Sequence, residues 1–114
     1  MTQTYEIAKL HPTFVRQLDA LAAGDVDELM ENYEPDAALL RFEGIASGHD
    51  AVRETLAGYL TLKPRLIELT QYVETDDTIF YRAVMNLGGA PERAFGTLVL
   101  RNGKIWRQTA GFGD

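Results

Sequence analysis

Ala22-Ala23-Gly24-Asp25-Val26-Asp27-Glu28-Leu29, followed by Tyr33-Glu34-Pro35-Asp36-Ala37, is the stretch on which the reading of this chain turns. Gly24 stops the helix before it, because glycine takes the left-handed conformation that closes a helix without a Cβ penalty. Asp25 starts another at once: with Glu28 three residues on, it makes a capping-box pattern. Val26, Leu29, Met30 and Tyr33 supply the apolar stripe of this second helix, Asp25 to Tyr33. Pro35-Asp36 then breaks the chain, and Ala37 to Glu43 reads as a short strand.

On the N-terminal side, Thr13 to Ala23 reads as a helix. Phe14, Leu18, Leu21 and Ala22 recur at helical spacing, and Pro12 suits a first turn whose amides have no partner anyway. On the C-terminal side, Gly44 to Gly48 reads as a loop and His49 to Leu62 as a third helix, ended before Pro64. Four strands are then expected, over Leu66–Glu74, Thr78–Leu87, Glu92–Arg101 and Lys104–Phe112. Asn102-Gly103 between the last two is a two-residue hairpin signal, since both turn positions want positive φ. Helices gathered ahead of an antiparallel meander indicate the α+β class.

The chain has 114 residues, enough for one domain. Its 46% hydrophobic and 25% charged residues are an ordinary globular mix. The formal net charge of −6 argues against nucleic acid and against an anionic membrane surface, both of which recruit clustered Lys and Arg. There is no cysteine, so disulfides and thiolate chemistry are excluded. His11 and His49 are too far apart for a familiar metal-ligand spacing, and no metal or cofactor is expected. The first residues lack a basic start and an apolar run, and no apolar stretch nears the ~18 residues of a membrane span. A cytoplasmic location is the expectation.

The quoted stretch, with Gly44-Ile45-Ala46-Ser47-Gly48-His49-Asp50-Ala51-Val52 after it, resembles the opening of SnoaL-like proteins of the nuclear transport factor 2-like superfamily, close to the ketosteroid isomerase-like branch. The resemblance runs along essentially the whole chain. It implies a cone-shaped roll, in which three helices pack on a curved, mostly antiparallel sheet around a blind apolar pocket. It also implies a homodimer formed through the outer face of the sheet. The fold serves isomerases, cyclases, hydrolases, dehydratases and non-catalytic proteins, so it does not name a reaction.

Strand alternation, aligned to that pattern, assigns faces. The concave side is expected to carry Leu39, Arg41 and Glu43; Ile79, Tyr81, Ala83 and Met85; Ala94, Gly96, Leu98 and Leu100; and Trp106, Gln108, Ala110 and Phe112. The outer side is expected to carry Phe80, Arg82, Val84, Phe95, Thr97, Val99, Arg101, Ile105 and Arg107, unless a bulge inverts a strand. The positions that carry the proton-shuttling aspartate and the two oxyanion donors in ketosteroid isomerases correspond to Arg41, Gln17 and Gly96. Arginine stays protonated near neutral pH, so that chemistry in its usual form is not expected.

Two kinds of site follow. In an enzyme, Glu43 is the base and Arg41 its electrostatic partner, for isomerisation, cyclisation, dehydration or epoxide opening without a cofactor. Gln17, Tyr81, Met85, Trp106, Gln108 and Phe112 then hold a small apolar molecule. In a non-catalytic ligand-binding or dimeric interaction module the same wall has no essential base. Each residue also has a plainer reading: Gln17 as a core amide tied to backbone, Arg41 and Glu43 as a rim ion pair, and the aromatic wall as core filling. His11 is a helix cap or, less simply, a base.

Overall fold

A computed structural model describes residues 4–113. After a 3-10 turn at Ile7–Lys9 come helices α1 (Pro12–Ala23) and α2 (Val26–Met30), strands β1 (Tyr33–Arg41) and β2 (Gly44–Ser47), helix α3 (His49–Leu60), and strands β3 (Arg65–Glu74), β4 (Thr78–Leu87), β5 (Ala90–Arg101) and β6 (Lys104–Phe112). The six strands form one sheet in the order β2-β1-β6-β5-β4-β3. Only β1 and β6 run parallel; the other pairs are antiparallel. Three helices therefore pack on a curved, mostly antiparallel open sheet, the expected α+β roll.

Local chemistry explains the helix ends. The His11 ring accepts from the Thr13 amide at 3.2 Å and Pro12 takes the first helical position, so α1 begins there. Gly24 closes it at φ 68°. The Asp25 carboxylate accepts from the Asp27 and Glu28 amides at 3.0 and 3.2 Å, which starts α2. Asn102 and Gly103, at φ 57° and 74°, make the tight turn between β5 and β6 as expected. The core closes on Leu29, Val52, Ile79, Leu98 and Ile105, all essentially inaccessible.

Several expectations are corrected. Tyr33 is not on a helical stripe; α2 stops at Met30 and Tyr33 opens β1, buried at 2% exposure. Pro35-Asp36 does not break the chain but lies inside β1. The β1–β6 register slips between Tyr33 and Ala38, and that irregularity accommodates a proline with no amide to give. Gly44–Ser47 is a strand, not a loop, folded back on β1 with Leu39 opposite Ala46. The third helix ends at Leu60 rather than Leu62, and β5 starts at Ala90 rather than Glu92.

The most consequential correction lies in β6. Val99 pairs with Arg107, yet Leu100 pairs with Ile105, so Trp106 is an extra residue in the ladder. Such a bulge shifts the side chains beyond it onto the other face. Ile105, expected outside, is fully buried. Trp106, expected on the concave wall, instead packs its ring against two guanidinium groups, Arg107 at 4.0 Å and Arg101 at 5.3 Å from the ring centre.

Candidate functional site

A cavity of about 650 Å³ opens between α1, α3 and the concave face of the sheet. From α1, Phe14, Gln17, Leu18 and Leu21 face it, four positions of the apolar arc visible in the sequence. From α3 come Thr55, Tyr59 and Leu56; Thr55 and Tyr59 lie four apart and form a stripe beside the buried one of Val52 and Leu56. The sheet contributes Leu39, Tyr81, Ala83, Met85, Leu98 and Ala110, the inward set that strand alternation predicts. Phe112 sits at the mouth, half exposed.

One end of this apolar space is closed by a buried polar chain. Gln17 Nε2 donates to the Tyr33 hydroxyl at 2.8 Å, and Tyr33 donates to Gln108 Oε1 at 2.5 Å. Asn32 Nδ2 donates to Gln17 Oε1 at 3.0 Å and to the Thr13 carbonyl at 3.0 Å. Arg16 Nε donates to Asn32 Oδ1 at 3.1 Å, while its Nη2 reaches Thr13 Oγ1 and the Gly103 carbonyl. Gln17 and Gln108 are thus both buried, at 6% and 7% exposure, with both amide oxygens engaged in the chain, and both line the cavity. Burial drives the Tyr33 hydroxyl far above its ordinary pKa, with smaller opposing effects from its glutamine partners.

Tyr81 lies deeper along the wall, its ring 5.3 Å from that of Phe14. Burial, with a smaller push from Tyr59, raises its hydroxyl to about 12. Burial alone raises Tyr59 to about 12 as well. Both therefore stay neutral donors near pH 7. Gly96 explains how Tyr81 fits: a Cβ there would meet the Thr109 carbonyl oxygen at 2.5 Å and the Tyr81 hydroxyl at 3.0 Å. The position that carries an oxyanion donor in ketosteroid isomerases is thus closed to side chains by strand packing.

Of the expected site residues, Gln17, Arg41, Tyr81, Met85, Gln108 and Phe112 all border the cavity, and Glu43 and Trp106 do not. Glu43 fails for a local reason. The strand ends at Arg41, and Phe42-Glu43 turns the chain into β2, so Glu43 is exposed in a turn instead of sharing a face with Arg41. Among the lining residues the only carboxylate is Glu54, on α3, and the only guanidinium is Arg41, both at the exposed rim. Phe95, expected outside, also borders the cavity where the β5–β6 ladder ends, because its ring fills the space that Gly111 leaves without a Cβ. His11 is a cap rather than a base: it lies outside the cavity, with Nδ1 accepting from Thr13 and Nε2 against the Asp76 carbonyl. Among the described residues no three acidic or histidine side chains gather into a metal site.

Tyr33, Asn32 and Glu54 escape a reading of the sequence. Tyr33 sits at helical spacing from Met30 and Leu29 and so reads as packing. Asn32 looks like a helix-ending residue. Glu54 lies beside Thr55 at the edge of the Thr55–Tyr59 stripe, and that stripe is the one signal that would have placed it near a cavity.

Residues 14–108 match the family model of the SnoaL-like domain. No curated protein matches the chain. Among solved structures, a candidate polyketide cyclase from Sinorhizobium meliloti superposes with a TM-score of 0.78 at 21% identity, covering 94% of this chain and all of the other. A candidate ketosteroid isomerase from Kribbella flavida gives 0.78 at 15% identity over 100% of this chain and 82% of its own. An NTF2-like protein of unknown function from Cytophaga hutchinsonii gives 0.74 at 13% identity over 99% and 95%. At such identities the superpositions speak to the fold alone, while the family model covers most of the sequence. The chain belongs to the SnoaL-like domain family, and its fold is that of NTF2-like proteins.

Proposed function

We propose that this protein binds a small, largely apolar molecule in the cavity between α1, α3 and the sheet. One observation carries the reading. About 650 Å³ of space walled by Phe14, Leu18, Leu39, Met85 and Leu98 ends on two buried glutamine amides. Ligand sites commonly combine such a volume and apolar wall with a few placed polar groups. The fold shared with a candidate polyketide cyclase and a candidate ketosteroid isomerase supports a small molecule as partner.

A thermal-shift screen of ketones, enones, lactones, epoxides and steroids tests it, run beside Ala110→Phe, which puts a ring into the cavity. A ligand at ~100 times its Kd adds about 2.7 kcal/mol to stability. At least one compound should raise the Tm of the wild type and not of Ala110→Phe. A shift that survives the filled cavity, or none from any compound, would remove the reading.

A catalytic version is favoured by Arg41 and Glu54 bordering the same space. Here Glu54, in place of Glu43, is the base and Arg41 holds developing negative charge. Loss of turnover in Glu54→Gln with binding retained supports catalysis; binding with no turnover in the wild type supports the non-catalytic module.

A second copy of this chain is the proposed partner for the outer face. Following the strand register, Ile45, Leu40, Thr109, Thr97, Phe80 and Val73 form one row across all six strands. Ile45, Leu40, Phe80 and Val73 are 70%, 38%, 49% and 62% exposed. Sedimentation should find a dimer that Phe80→Glu dissociates; a monomeric wild type would end this part of the proposal.

A further inference from the structure

Every hydrogen bond in the chain from Arg16 to Gln108 has a determined direction. A guanidinium only donates, so Asn32 Oδ1 must accept from Arg16. A backbone carbonyl only accepts, so Asn32 Nδ2 must face Thr13 O. These two obligate partners hold Asn32 in one orientation from both ends. Its Nδ2 therefore donates to Gln17 Oε1, which turns Gln17 Nε2 toward the Tyr33 hydroxyl. Tyr33, having accepted that bond, gives its single proton to Gln108 Oε1. The amide oxygen of Gln108 is thereby committed away from the cavity. Its Nε2 has no acceptor among the described residues and faces the space that Gln108 lines.

We propose that this end of the cavity selects ligands by a carbonyl oxygen, which accepts from Gln108 Nε2, and that Arg16 and Asn32, outside the cavity, are the positioning residues that make that group a donor. The inference rests on the reading that the cavity takes a small apolar molecule, and it names what that molecule carries: an aromatic or alicyclic ketone, ester, lactone or quinone. Gln17 Nε2 has a second proton, and Gln17 lines the same cavity. The charged and titratable groups around this end are Arg16, Tyr33 and Tyr81. Arg16 is cationic, and both hydroxyls stay protonated well above neutral pH, so the site offers donors and no base. An oxygen that develops negative charge would be held there more strongly than a neutral one.

Three probes of similar shape test the proposal: 2-acetylnaphthalene carries a carbonyl acceptor, 2-ethylnaphthalene carries no polar group, and 2-naphthol carries an O–H donor. Calorimetric titration of the wild type should favour the ketone over the hydrocarbon by roughly 3- to 10-fold, the worth of one neutral hydrogen bond. The infrared carbonyl stretch of the bound ketone should move to lower frequency than in hydrocarbon solvent, a measurement that needs no variant. Gln108→Leu should abolish the ketone preference. Asn32→Asp is the sharper variant. A carboxylate cannot donate to Gln17 Oε1, so Gln17, Tyr33 and Gln108 should reverse together, presenting Gln108 Oε1 to the cavity and shifting preference from the ketone to naphthol. A role of Asn32 in stability alone would lower all three affinities alike. Equal binding of ketone and hydrocarbon, an unshifted stretch, or a preference that outlives Gln108→Leu overturns the inference and leaves the cavity reading intact. Failure of all three probes to bind removes the cavity reading and the inference with it.

Discussion

The hydroxyl of Tyr33 donates to Gln108 Oε1 across 2.5 Å, tying the start of the first strand to the middle of the last, 75 residues away. Those two strands are the sheet's one parallel pair, and β2, α3, β3, β4 and β5 lie between them in the chain. The bond closes the wall of the cavity and orients an amide within it.

Removing that hydroxyl should therefore cost more than an average hydrogen bond. Tyr33→Phe strands Gln108 Oε1 and one Gln17 proton in a buried place, at a cost of about 1–3 kcal/mol. Urea denaturation at pH 7 measures it as a lower midpoint at unchanged slope. A midpoint equal to the wild type would mean that water or rotation of Gln108 readily replaces Tyr33.

Alkaline pH should unfold the protein through its tyrosines. An unfolded tyrosine ionises near 10, whereas Tyr59 and Tyr81 are pushed up to about 12 by burial, and Tyr33 higher still. A group whose folded pKa is raised contributes stability that is full below the unfolded value and lost as pH rises through the folded one. Stability should be flat with respect to these groups below pH 10 and fall between 10 and 12. Tyrosinate absorbance should rise together with loss of helical circular dichroism, and Tyr81→Phe should make the fall shallower. Full tyrosinate absorbance at pH 10 with the fold intact would contradict the burial argument.

Gly96 is held by contact rather than by backbone conformation. Gly96→Ala drives a Cβ against the Thr109 carbonyl, backbone that cannot swing aside, and against Tyr81. Overpacking of this kind costs about 1–3 kcal/mol. Thermal denaturation should show the loss, and pairing with Tyr81→Phe should recover only the part due to the hydroxyl. An undiminished Tm would mean that β5 and β6 part more easily than their register suggests.

The elements with strong local chemistry were legible in the sequence. Pro12 and Gly24 bound α1, Asp25 starts α2, and Asn102-Gly103 makes the last hairpin; each acts within a few residues. What was not legible depends on partners far along the chain. Pro35 reads as a breaker, yet β6 lies alongside and the register slips around it. Tyr33 has helical spacing to Met30, yet its hydroxyl finds Gln17 and Gln108. Six of the eight candidate site residues border the cavity because strand alternation and the apolar arc of α1 place them. The two that do not are undone by local events, the two-residue turn after Arg41 and a bulge at Trp106, and a period-2 pattern carries no mark of either.

The most direct test of the cavity reading follows side-chain resonances while 2-acetylnaphthalene is titrated into the labelled protein. The account predicts saturable shifts shared by the Gln17 and Gln108 amide protons and by the Met85, Leu39 and Leu98 methyls, with the Trp106 indole signal unmoved. Shifts that centre on Trp106 and leave Gln108 and Met85 in place, or that never saturate, would contradict it.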